Sequence, residues 1–152
     1  MQTARVSAGI PLPNQASVLL DAAEPVQDAH ALVLGTPGLA SLDILCGLIG
    51  RGCAAAAELS PDGPVPAEPA EIVLVPAVSS LDMATRAIML TRRCLLPCGR
   101  IVLQDASGAL APAIIRLRRA AGFVRIVASA DSAVICADWP MFSHQLHGAG
   151  RA

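Results

Sequence analysis

A chain of 152 residues fits one domain and is long enough to bury a real core. With 54% hydrophobic and only 15% charged residues, against roughly 25% charged in an average soluble protein, it lacks the polarity of a disordered chain and must carry an unusually apolar surface. A net charge of −1 gives no field to attract a polyanion, and Phe123, Phe142 and Trp139, all late in the chain, build no base-stacking platform, which argues against nucleic-acid binding.

In chain order, residues 1–29 hold Pro11, Pro13 and Pro25 and read as an irregular lead-in with one short helix over Gln15 to Ala23. From Ala31, ALVLG is a short apolar run closed by glycine, the pattern of a strand buried on both faces. Leu39, Leu42, Cys46 and Ile49 then recur at three- and four-residue spacing, which places them on one side of a helix ending at Gly50 or Gly52, the stripe that such a helix turns to the core. CAAAAELS is a weaker strand, since alanine is indifferent to sheets. SPDGPVPAEPAE, with four prolines, must be a loop.

EIVLVPAV resumes as a buried strand, and SSLDMATRAIMLTRRCLLPCG reads as a helix. Ser79 or Ser80 can cap it, Asp82 suits its positive end, and Arg92 and Arg93 suit the other end before Gly99 stops it. RIVLQDA is a strand; GALAPAIIRLRRAAG is a helix with Leu110, Ile114, Leu117 and Ala121 inward, the arginines outward and Pro112 in the first turn. FVRIVASADSAVICADW folds back on itself around Ala130, Asp131 and Ser132 as a hairpin. Residues 30–140 thus form one α/β domain, a doubly wound, mostly parallel sheet closed by an antiparallel hairpin, and residues 141–152 form a loose tail.

All eleven basic residues are arginine, and Arg92, Arg93, Arg116, Arg118 and Arg119 fall on helix ends and polar faces where a solvated role is ordinary. Of five cysteines, Cys46 and Cys136 lie in apolar runs that read as core, while Cys94 and Cys98, four apart, read as two ordinary thiols at a helix end. A lone cysteine pair, and His144 with His147, fall short of the three or four ligands that a metal needs. Asp105, Ser79 and Ser80 lie at strand ends where ligands bind in such sheets, but Gly-x-Ser-x-Gly is absent, and His30 is most simply a strand-entry residue. No signal-like segment opens the chain, and Asp43 and Arg51 interrupt its most hydrophobic stretch well short of a membrane span, so a cytoplasmic protein without membrane contact is expected.

Between Ala31 and Trp139 this order resembles the class I S-adenosylmethionine-dependent methyltransferases, including their closing antiparallel hairpin. ALVLGTPG is similar to the family's glycine-rich first loop, Glu58 matches the acidic residue ending its second strand, and EIVLVPAVSSLD resembles its fourth-strand motif. RRCLLPCGRIVLQDA is similar to the Pro-x-Gly turn that leads into the fifth strand. The resemblance implies a Rossmann-like fold and cofactor contacts at Gly35, Thr36, Gly38, Glu58 and Pro76, the glycines admitting the ligand and the carboxylate holding its ribose.

Departures accompany it. Val33 stands where the family has an acid in the first strand, the loop is one glycine short, and Pro37 removes an amide donor from its turn. Only the proline-rich loop from Pro61 to Ala70 joins the second strand to the next, where the family has a further helix and strand leading to its adenine-contacting loop. The expectation is a degenerate, catalytically silent methyltransferase-like domain with no cofactor, acting as a homodimer or through a protein partner. The alternative is an active S-adenosylmethionine-dependent methyltransferase whose substrate site a partner or second subunit completes.

Overall fold

The computed structural model describes residues 15–35, 39–66, 68–105, 109–129 and 134–140. Helix α1 spans Gln15–Ala23, followed by β1 (His30–Leu34), α2 (Leu39–Gly50), β2 (Ala55–Leu59), β3 (Ala70–Val78), α3 (Leu81–Cys94), β4 (Leu95–Asp105), α4 (Ala111–Ala121), β5 (Val124–Ser129) and β6 (Val134–Asp138). The strands form one sheet in the order β2-β1-β3-β4-β6-β5. β1 runs parallel to both β2 and β3, and β3 parallel to β4. β6 then lies antiparallel to both β4 and β5, so the hairpin expected from the sequence closes the sheet.

Alternation along these strands divides the core in two. Leu32, Leu34, Val73, Val75, Ile101 and Leu103 face α3 and α4 and pack with Ile88, Ile114 and the Phe123–Trp139 pair, whose ring centroids lie 4.8 Å apart. Ala31, Val33, Leu74 and Val102 face the other way, onto Leu19 of α1 and Ile44 and Leu48 of α2. Each central strand is therefore apolar on both sides, which is why its sequence reads as a continuous run rather than as an alternation.

The caps of the helices follow from local chemistry. Ser80 caps α3, its Oγ accepting the Met83 amide at 3.1 Å, and Asp82 lies in the first turn with Arg92 and Arg93 in the last. This helix ends at Cys94, five residues before the stop expected at Gly99, because Pro97 has no amide to donate and disfavours helical backbone at Leu96. Cys98 consequently sits in β4 and not on the helix with Cys94. The chain there is folded tightly enough that a Cβ on Gly99 would come within 2.8 Å of the Leu96 carbonyl, so only glycine fits.

Two inward faces differ from the sequence reading. On α2 the buried side chains are Ile44 and Leu48, whereas Leu42 (54% exposed), Ile49 (52%) and Cys46 point to solvent. The helix is apolar almost all round, so its periodicity allowed more than one inward stripe, and packing against α1 selected between them. Gly47 is the contact point: a Cβ there would collide with Leu20 of α1. On α4, Arg118 is completely buried rather than solvated, because it lies one turn after Ile114 on the core-facing stripe.

Its Nη2 donates to the Ile101 carbonyl at 3.4 Å, while Nε and Nη1 have no partner among the described residues. Burial lowers the Arg118 pKa to about 9. A cation whose folded pKa is depressed destabilises the fold while it is charged, and the penalty is relieved as pH rises from about 9 toward the higher value of the unfolded chain. Arg118→Met should therefore raise the unfolding free energy by about 1–3 kcal/mol at neutral pH. The gap between variant and wild type in denaturant titrations should narrow above pH 9, and a variant less stable than wild type at pH 7 would contradict this account.

Candidate functional site

Open α/β sheets bind ligands beyond the carboxyl ends of their strands, where successive crossovers leave in opposite directions. Here that point is the end of β1, since the chain proceeds from β1 to β2 on one side and then crosses to β3 on the other. Gly35, the first residue after β1, is buried and donates its amide to the Leu59 carbonyl at 3.0 Å, which ties the start of the loop to the end of β2. On its other side stands Pro76 of β3: a Cβ at Gly35 would meet the proline ring at 3.9 Å, an ordinary contact. Among the described residues, packing therefore does not demand glycine here, and a side chain's worth of space lies above the backbone.

Glu58 is the fourth residue of β2 and pairs in register with Val33, so its side chain lies on the α1–α2 side of the sheet. Its Oε2 is buried and has no hydrogen-bond partner among the described residues. Leaving a carboxylate oxygen in that state costs about 1–3 kcal/mol, which marks the position as one where a donor is wanted. Val33, which stands where the resemblance implies an acid, is wholly buried in the core. The structure thus brings Gly35, Glu58 and Pro76 together at the ends of three neighbouring strands; Thr36 and Gly38 lie outside the described residues.

Other candidates are occupied by structural work. Asp105 is buried at the end of β4, and its Oδ2 accepts the Leu110 amide at 2.7 Å just before α4. Ser80 caps α3, and Ser79 Oγ lies 3.9 Å from Met83 Sδ. His30 opens β1, its amide donating to Glu71 Oε1 at 2.8 Å and its Nδ1 lying 3.8 Å from Glu68. His144 and His147 lie outside the described residues. All five cysteines are free, and burial pushes the Cys53, Cys94 and Cys136 thiols up, so none of these three is a ready thiolate. Among the described residues no three His, Cys, Asp or Glu side chains gather as a metal site, and no helix is long and apolar enough to cross a membrane.

One polar cluster escaped the sequence reading. At the opposite end of the sheet Asp138 accepts from Arg100 Nε at 2.9 Å and lies 3.1 Å from Arg125 Nε, and Glu24 stands 3.4 Å from Arg100 Nη1. The hydrogen bond to Asp138 holds the Arg100 pKa above its usual value. Arg100 and Asp138 are direct partners in the β4–β6 register, a relation invisible until the strands are paired. These ion pairs fasten α1, β4, β5 and β6 together.

No protein-family model matches the chain, and no curated protein matches it either. Solved structures do. A TehB-like SAM-dependent methyltransferase from Corynebacterium glutamicum superposes with a TM-score of 0.60 at 14% identity, over 89% of this chain and 91% of that one. A SAM-dependent O-methyltransferase from Thermotoga maritima gives a TM-score of 0.64 at 12% identity, over 86% of this chain and 66% of the other. The N-methyltransferase NodS from Bradyrhizobium japonicum, in complex with S-adenosyl-L-homocysteine, gives 0.51 at 17% identity, over 82% and 84%. The chain has a class I methyltransferase-like fold.

The space above Gly35 generates a test. Because its backbone has no left-handed φ and a Cβ meets only Pro76 at ordinary distance, Gly35→Ala should leave thermal stability unchanged or raise it by up to about 1 kcal/mol. A loss of more than about 2 kcal/mol in calorimetry would mean that the space is filled by the protein itself.

Proposed function

We propose that this methyltransferase-fold domain keeps the ribose-facing half of a nucleoside site, lacks the purine-facing half, and acts by association with protein rather than by methyl transfer. The observation that carries this reading is the position of β2 at the margin of the sheet. A purine held beside Gly35 and Glu58 needs a wall beyond β2, and among the described residues no strand pairs with β2 on that side. Instead Leu59 and Val65 pack with the α3–α4 core, and Arg86 of α3 holds Asp62 of the loop at 2.6 Å.

S-adenosylmethionine fits the residues present only in part. Glu58 has a carboxylate oxygen suited to a ribose hydroxyl, and Gly35 leaves room for a ligand to approach, but Val65 of the loop after β2 packs with the α3–α4 core instead of beside them. Since methyl transfer draws its reactive centre from the cofactor and its rate from positioning, a loosely held cofactor means little catalysis. The exposed apolar residues of α2 and the bare margin of β2 are what such a domain has to offer instead. Free cysteines throughout accord with a reducing, cytoplasmic setting.

A second reading is favoured by the orphaned Glu58 oxygen: an active S-adenosylmethionine-dependent methyltransferase completed by another subunit. Calorimetric titration with S-adenosylmethionine and S-adenosylhomocysteine separates the two. The first reading expects no binding at micromolar ligand and no change in melting temperature. The second expects ligand at a hundredfold excess over its dissociation constant to stabilise the fold by about 2.7 kcal/mol, with the effect abolished in Glu58→Ala.

A further inference from the structure

We infer that β2 continues its sheet into a second copy of this chain, across a two-fold axis at Ala57, with α2 of each copy packing against the other. The inference deepens the reading above, on which it rests for the absence of a strand beyond β2, by naming the partner.

Among the described residues β2 pairs with β1 alone. The Leu59 carbonyl accepts from Gly35, so Leu59 turns its peptide groups toward β1. By alternation Ala57 and Ala55 do the same, and Ala56 and Glu58 turn their N–H and C=O groups outward. An open row of this kind is completed by another strand. When the partner is the same segment run antiparallel about Ala57, Ala56 stands opposite the partner's Glu58 and Glu58 opposite the partner's Ala56. Each couple exchanges two hydrogen bonds, so all four outward donors and acceptors of each copy are satisfied.

That register is selected by charge and size. Centring the pair one residue later would set Glu58 against the partner's Glu58, and centring it one residue earlier would leave Glu58 outside the paired segment. At the axis itself two Ala57 residues meet with Cα atoms about 4.5 Å apart, where small side chains suit the close approach. Ala55 and Ala57 are exposed in the single chain, on the face where Pro66, Glu68 and Pro69 of the following loop border the strand.

Helix α2 provides the remainder of the surface. A stable interface buries about 800 Å² on each side, more than five strand residues cover, so a second element must take part. Gly47 faces α1, and on a helix the residues opposite it are Leu42, Leu45 and Ile49. Leu42 and Ile49 are more than half exposed and Leu45 is half-buried. These three point away from α1, past the margin of β2, on the face of the sheet that also carries Glu58. The two-fold brings both α2 helices to that same face and runs them antiparallel. The helix dipoles then oppose favourably, while Asp43 and Arg51 lie on the Gly47 side, where Arg51 Nη1 holds Asp21 of α1 at 2.7 Å. One surface is thereby complementary to itself in hydrogen bonding and in apolar contact.

Sedimentation equilibrium of the intact chain over micromolar concentrations, with hydrogen exchange read at Ala56 and Glu58, tests the inference. A dimer is expected, with those two amides protected as it forms. Ala56→Pro removes an outward N–H that β1 does not use, at a margin where proline is tolerated, and should weaken the dimer about 100-fold. Ile49→Arg, at an exposed position of α2, should weaken it comparably while leaving the fold intact, and it decides the matter alone if Ala56→Pro fails to fold. A monomer throughout the range, or a dimer indifferent to Ile49→Arg, would overturn the inference. A monomer that binds no S-adenosylmethionine leaves the non-catalytic reading standing, whereas a dimer that transfers methyl groups removes that reading and leaves this interface.

Discussion

Strand β1 is hydrogen-bonded on both edges, parallel to β2 through residues His30 to Leu34 and parallel to β3 through Ala31 to Val33. Parallel pairs cannot be joined by tight turns, so each requires a crossover, and here the crossovers are unequal. α2 carries the chain from β1 to β2, whereas only residues 60–69 carry it from β2 past β1 to β3. The double pairing of β1 creates the switch point at Gly35, and the short second crossover leaves β2 at the margin of the sheet. The switch point at Gly35 and the margin of β2 are thus two results of one topological constraint.

Gly35, Pro76 and Glu58 stand at the ends of neighbouring strands, and a Glu58 carboxylate oxygen has no donor among the described residues. Meanwhile α2 exposes residues of the kind that usually sit in cores, and does so on its side away from α1. An exposed apolar arc beside a bare strand reduces solubility unless it is covered, which gives association a physical basis independent of any likeness to enzymes.

Elsewhere the molecule handles its few charges in two contrasting ways. At the amino ends of the strands Arg100, Arg125, Glu24 and Asp138 neutralise one another in a compact cluster joining α1 to the terminal hairpin. Arg118, by contrast, lies fully buried with one long hydrogen bond to a carbonyl among the described residues, a state that works against stability at neutral pH. A sheet with apolar strands on both faces absorbs that cost through the burial of Ile101, Leu103, Ile114 and their neighbours.

The succession of elements was determined by the sequence alone, because it depends on local signals. Continuous apolar runs mark strands buried on both faces, Ser80 and Pro112 mark helix starts, the prolines from Pro61 to Pro69 rule out a helix between β2 and β3, and the spacing of the last two strands marks a hairpin. The positions of Gly35, Glu58 and Pro76 at strand ends were equally legible. Tertiary structure alone decided which way side chains face when local signals are degenerate. α2 is apolar on nearly every side, so only its contact with Leu20 turned Ile44 and Leu48 inward and left Leu42 and Ile49 outside. Arg118 shares a helical stripe with Ile114, and only the closeness of β4 determined that a guanidinium would lie in the core. Pairing of Arg100 with Asp138, and the isolation of the Glu58 oxygen, likewise depend on strand register, a relation between distant segments that no local pattern encodes.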